Sequence, residues 1–166
     1  MDPHTIAVYQ ERAAEYGDRR RAYHPDRAAA FAARVSPGAV RLDLGAGPGH
    51  YLPHLGAPVV AADAAPAMVA EARRRHPGIP VVVSDAAAIP LRRGSLGGVW
   101  ASKVLQHVER ERLPVVLAGL HRALAVGGVL DLTVFAGDGE DRTGADDDFP
   151  GRRPTCWRAA GSRSTR

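Results

Sequence analysis

The chain has 166 residues, the length of one domain, with a formal charge of +4 and a pI near 9.8. No apolar run approaches the roughly 20 residues of a membrane span, the N-terminus shows no apolar leader stretch, and the single cysteine, Cys156, excludes an internal disulfide framework. Nearly all the positive charge is arginine, spread over separate clusters at 19–21, 73–75 and 92–93 without interleaved aromatics, so the expected class is a cytoplasmic enzyme rather than a nucleic-acid binder.

Residues 5–21 read as a helix, with Thr5 as N-cap and Ile6, Tyr9, Ala13 and Tyr16 on one face. After the break at His24-Pro25, Asp26 is placed to cap a second helix running to about Val35, and Ser36-Pro37-Gly38 stops it. Val40 to Leu44 is a short apolar strand with an acid, Asp43, near its end. The turn Gly45-Ala46-Gly47-Pro48-Gly49 follows. Glycines belong where a backbone turns with positive φ or where a ligand approaches the main chain. The next turn of helix, His50 to Leu55, aims free N–H groups back at this bend. The dinucleotide fingerprint G-x-G-x-x-G is not met, because its third glycine position is His50.

Pro58 to Asp63 reads as a second, buried strand ending on an acid. Asp63 suits either a ligand's hydroxyl groups or the N-cap of the next helix, 65–75. Pro80 to Asp85 is a third strand and Leu96 to Ala101 a fourth. Lys103, the only lysine, stands just beyond the fourth strand. A helix from Leu113 to Val126 stops at Gly127-Gly128, and Val129 to Phe135 is the fifth strand. Strand and helix alternate throughout, which predicts an α/β, doubly wound, mostly parallel sheet of order 3-2-1-4-5 behind two N-terminal helices.

The pattern Asp43-Leu44-Gly45-Ala46-Gly47-Pro48-Gly49, joined by Asp63 at the next strand tip, resembles the first motif of the class I S-adenosylmethionine (SAM)-dependent methyltransferases. The resemblance spans about residues 5–135. It implies SAM as cofactor, with Gly45, Ala46, Gly47 and Gly49 along its methionine part and Asp43 orienting its ammonium. It implies Asp63 and Ala64 at the ribose, Met68 beside ribose and adenine, and Asp85 with Ala86 at the adenine. Tyr16 is expected to touch the methionine end, and Ser102 to line the place where methyl group and acceptor meet. His107 is the candidate general base there. Core packing is the competing expectation for Tyr9, Tyr16 and Met68, and a structural role for His107. The family commonly carries an aspartate near Gly97, and this chain does not.

The implied organisation is an N-terminal helical cap (1–38), a SAM-binding core (39–135) and an irregular or disordered tail (136–166). The family's C-terminal β-hairpin is not recognisable in the tail. The fifth strand is then expected to leave an edge open to self-association. The expected activity is methyl transfer to a small-molecule acceptor. The rival readings are a SAM-binding pseudoenzyme, a nicotinamide oxidoreductase and a nucleic-acid methyltransferase.

Overall fold

The computed structural model describes residues 6–13, 22, 24–135 and 154–157. Residues 6–13 form helix α1. Tyr16 and the remainder of the expected first helix lie outside the described residues. Helix α2 is Pro25–Arg34. It begins at the proline, whose missing N–H is no loss in a first turn, so Asp26 sits inside that turn rather than capping it. Strand β1 (Arg41–Leu44) leads through the glycine bend to a single 3-10 turn, Leu52–His54. Then come β2 (Val59–Asp63), α3 (Pro66–Arg75), β3 (Val81–Val83), β4 (Leu96–Ser102), α4 (Leu113–Ala123) and β5 (Leu124–Phe135).

The five strands are parallel in the order β3-β2-β1-β4-β5, as the alternation of elements predicts. Side chains alternate between two cores. Phe31 of α2, Leu52, Val69 of α3 and Trp100 of β4 fill one face. Leu42, Leu44 and Val99 meet Val116 and Leu120 of α4 on the other. Each such fully buried aliphatic contributes about 1.5–3 kcal/mol. Gly98 lets α2 settle onto β4: a Cβ there would lie 2.6 Å from Val35 Cγ2 and 2.7 Å from Phe31 Cζ.

Two expectations need correction at the fifth strand. Helix α4 ends at Ala123, before the Gly127-Gly128 stop. The chain enters β5 at Leu124 and slips register between the pairs Leu96↔Leu124 and Gly98↔Val129. Gly127, at φ +77°, lies in this bulge and does not end the helix. The tail is also not irregular throughout. Pro154–Trp157 forms β6, antiparallel to β5, with Leu132↔Trp157 and Phe135↔Pro154 in register. The outer edge of β5 is therefore covered over Leu132–Phe135 instead of being bare along its length.

Candidate cofactor site

The carboxyl ends of β1 to β4 define one hollow. Gly45 and Ala46 both donate to the Ala62 carbonyl, at 2.8 and 3.1 Å, so the bend is anchored to the tip of β2. Gly45, Gly47 and Gly49 all have positive φ (+69°, +54° and +86°). Their surroundings differ. A Cβ on Gly45 would meet Val104 Cγ2 at 2.4 Å, and one on Gly49 would meet His76 Cδ2 at 2.7 Å. A Cβ on Gly47 would meet nothing within 4 Å. Gly45 and Gly49 are thus required by packing and turn, and Gly47 faces the open side.

Asp63 closes the bend from the neighbouring strand. Its Oδ2 accepts from Gly47 N at 2.8 Å and its Oδ1 from Ala65 N at 2.9 Å. The N-cap of α3 is Ala65, so Asp63 supports the helix entry from two residues upstream without being the cap itself. Burial raises the Asp63 carboxyl above its usual range, and the N–H groups of Ala65, Gly47 and Ala64 pull it part of the way back.

Asp43 is in the opposite condition. It is 2% exposed, and its Oδ2 has no hydrogen-bond partner among the described residues. Burial, and then the charge of Asp63, push its carboxyl up to about 8. Trp100 pairs with Asp43 in register, and its Nε1 is likewise buried and unpartnered. Buried polar atoms are rarely left so, and two on adjoining strands mark this face of the hollow.

The other expected residues divide. Asp85 lies two residues past β3, where its Oδ1 accepts from Ala87 N at 2.9 Å and Arg112 Nη1 stands 4.0 Å from its Oδ2. Ala86 is buried in the core under α4 and Ala46 in the core under α2. Ala64 is half-buried. Met68 is only 1% exposed and packs with Ala13 and Ala65 beneath α1. Ser102 ends β4, and Lys103 follows in left-handed backbone (φ +60°), donating its N–H to the Thr133 carbonyl at 2.7 Å. His107 Nε2 lies 3.3 Å from the Tyr9 hydroxyl, with the two rings edge to face.

Some contacts around the hollow escaped the sequence. Helix α1 spans the mouth, with Tyr9 on His107 at one side and Gln10 Oε1 accepting from Ala67 N at 3.0 Å on the other. Arg27 of α2 reaches Asp131 and Thr133 of β5, donates to the Leu132 carbonyl at 3.0 Å and lies 5.0 Å above the Trp100 ring. Asp131, an aspartate inside an apolar strand, is the one signal in the sequence for the half-buried Arg27. Among the described residues, no group of three or more His, Cys, Asp or Glu side chains is arranged to hold a metal, and no helix is long and apolar enough to cross a membrane.

The arrangement presents a buried, unpartnered acceptor at Asp43 and open space before Gly47, which suits a ligand that brings a donor group. Comparison with known proteins identifies the family. The methyltransferase-domain family matches residues 42–132. The malonyl-[acyl-carrier protein] O-methyltransferase of Enterobacter lignolyticus (strain SCF1) is 37% identical over 100 residues, covering 58% of this chain and 39% of that protein. The demethylmenaquinone methyltransferase of Beutenbergia cavernae is 38% identical over 116 residues, covering 66% of this chain and 46% of its own. The chain thus spans less than half the length of these curated relatives. Among solved structures, a DhpI-SAM-HEP complex superimposes with a TM-score of 0.63 at 25% identity, covering 82% of this chain and 69% of that one.

Proposed function

This chain belongs to the methyltransferase-domain family, which matches more than half of its length, and on that premise we propose that it binds SAM and transfers the methyl group to a small-molecule acceptor. The observation that carries the reading is the orphaned Asp43 Oδ2, buried at the tip of β1 beside the glycine bend. A buried acceptor of this kind calls for a donor, and the α-ammonium of SAM is one. When bound, SAM supplies a sulfonium-borne methyl group open to in-line attack by an oxygen, nitrogen or carbon nucleophile.

The protein's part is to hold and orient. Asp43 receives the ammonium. Gly47, with no side chain and open space before it, admits the methionine part. Asp63, whose carboxylate is already fixed by backbone N–H groups, presents its remaining lone pairs to the ribose hydroxyls with little loss of side-chain freedom. Asp85 and the Ala86 N–H take the adenine, and Ala64, Met68 and Ser102 complete the lining. Val104 and the bend exclude water from below. His107, oriented by Tyr9, takes the proton of an O–H or N–H acceptor. The N-terminal helices cap the mouth.

Two relatives are named for malonyl-[acyl-carrier protein] and demethylmenaquinone, which supports a small organic group as acceptor. Calorimetric titration with SAM tests the cofactor site: Asp63→Ala should weaken binding about tenfold or more. Affinity equal to that of the parent protein would remove Asp63 from the site.

A second reading is a SAM-binding module without transfer activity. Tight SAM binding together with no methyl transfer from labelled SAM to any acceptor tried would select it. Self-association is proposed through the part of β5 that β6 leaves uncovered, Leu124 to Asp131, and sedimentation at micromolar protein tests it. A clean monomer ends that proposal.

A further inference from the structure

We propose that cofactor capture at this site releases one proton: the empty site holds Asp43 as a neutral acid, and the ligand's ammonium takes the place of that proton. The proposal rests on the SAM reading above and goes beyond it, because it assigns the protonation state of the empty site and how that state changes.

Three observations carry it. First, Asp43 is buried and its Oδ2 meets no donor, so a negative charge there would stand unsolvated. Second, Asp63 shares the pocket and is far better placed to be the charged partner. It accepts from Gly47 N and Ala65 N, and two acids this close do not ionise equally. Third, the nearby cations are engaged elsewhere. Arg41, two residues back on the same strand, donates to the carbonyls of Ala32, Val35, Ala39 and Ala57. Arg27 of α2 is held by Asp131, Thr133 and the Leu132 carbonyl over Trp100. His76, at the end of α3, hydrogen-bonds the backbone of Gly49, and burial lowers its tendency to charge. The Tyr51 ring, after the bend, lies tilted against Trp100 and brings no cation. Nothing on these elements compensates a carboxylate at position 43, and the raised pKa of Asp43 agrees with the geometry.

The balance is simple. The Asp43 O–H breaks, its proton passes to solvent, and the ammonium donates an N–H to the carboxylate so formed. No other bond changes. The exchange favours zwitterionic amino-acid ligands over the bare nucleoside, since only they bring the cation that makes ionisation favourable.

The test is titration calorimetry with S-adenosylhomocysteine (SAH) between pH 6 and 7, in buffers of different ionisation enthalpy. The ligand's ammonium stays protonated there. About one proton should leave per SAH bound, and affinity should rise about tenfold over that pH unit. 5′-Methylthioadenosine, which carries the nucleoside without the amino-acid part, should release none and bind independently of pH. Asp43→Asn, isosteric and neutral, should bind SAH without proton release. Overturning results are SAH binding without proton release, equal release with 5′-methylthioadenosine, or undiminished release from Asp43→Asn. If neither compound binds, the SAM reading itself fails and the coupling with it.

Discussion

Arg41 and Asp43 lie two residues apart on one face of one strand, and both are buried. The guanidinium of Arg41 is received by four backbone carbonyls. Two of these come from the end of α2: Ala32, whose carbonyl also accepts from the Val35 N–H, and Val35 at the C-cap. Only its Nε is left over. Asp43 keeps an oxygen that no donor among the described residues meets. The amino end of β1 is therefore closed by its own chain, and the carboxyl end is left for another molecule to complete. Burial of a charge does not by itself separate architecture from site. What separates them is whether the protein has already supplied the partners.

The contrast can be broken most forcefully at Arg41. Arg41→Ala strips the donors from carbonyls at the α2 terminus, and urea unfolding should show a loss of about 3–5 kcal/mol. A variant as stable as its parent would mean that water serves those carbonyls equally well. The pH dependence of the ligand-free protein gives the next effect. The folded pKa of Asp43 lies above its unfolded value, so the native state binds more protons between about pH 4 and 8. Stability from this group is then present at low pH and lost as pH rises toward 8, by about 1.4 kcal/mol per unit at most. Thermal unfolding from pH 5 to 8 should show this decline, and Asp43→Asn should flatten it. A parallel decline in both proteins would assign it to other groups.

Asp43→Asn also sharpens the contrast at the level of binding. Its fold should be intact and, near pH 8, as stable as the parent or more so. SAH affinity at pH 8 should fall about tenfold or more, since a charged hydrogen bond is replaced by a neutral one. A coincident loss of stability and affinity would instead class Asp43 with Arg41. Tyr9→Phe is the mildest case. Losing one hydroxyl from the α1 contact should cost about 0.5–1.5 kcal/mol and shift the ring resonances of His107. Unmoved His107 resonances would separate the two side chains.

Much of this organisation was legible in the chain. Alternating apolar runs ending on Asp43, Asp63 and Asp85 placed three acids at neighbouring strand tips, and the strand order followed from connection rules. Spacing could not say which way a carboxylate turns. Asp63 was open to ligand or cap, and its two backbone contacts show it bracing the bend. The glycines at 45 and 49 read as ligand contacts, and spacing could not show the packing need that Val104 and His76, distant in sequence, add there. Tyr9 on His107 joins residues 98 positions apart in the chain, and no local period encodes such a meeting. At β5 the glycine pair signalled a helix stop, but pairing of Leu124 with Leu96 had already drawn the chain into the sheet. The strand at 154–157 comes from a segment with no apolar rhythm, and its hydrogen bonds belong to the edge it completes.

The lone lysine has a practical meaning. Lys103 directly follows β4, in left-handed backbone and hydrogen-bonded to Thr133. In a chain whose other basic side chains are arginine and histidine, an amine-selective reagent has this one side-chain target. A dye or spin label can therefore be installed at the lip of the cleft without engineering the sequence, turning the native protein into its own occupancy sensor.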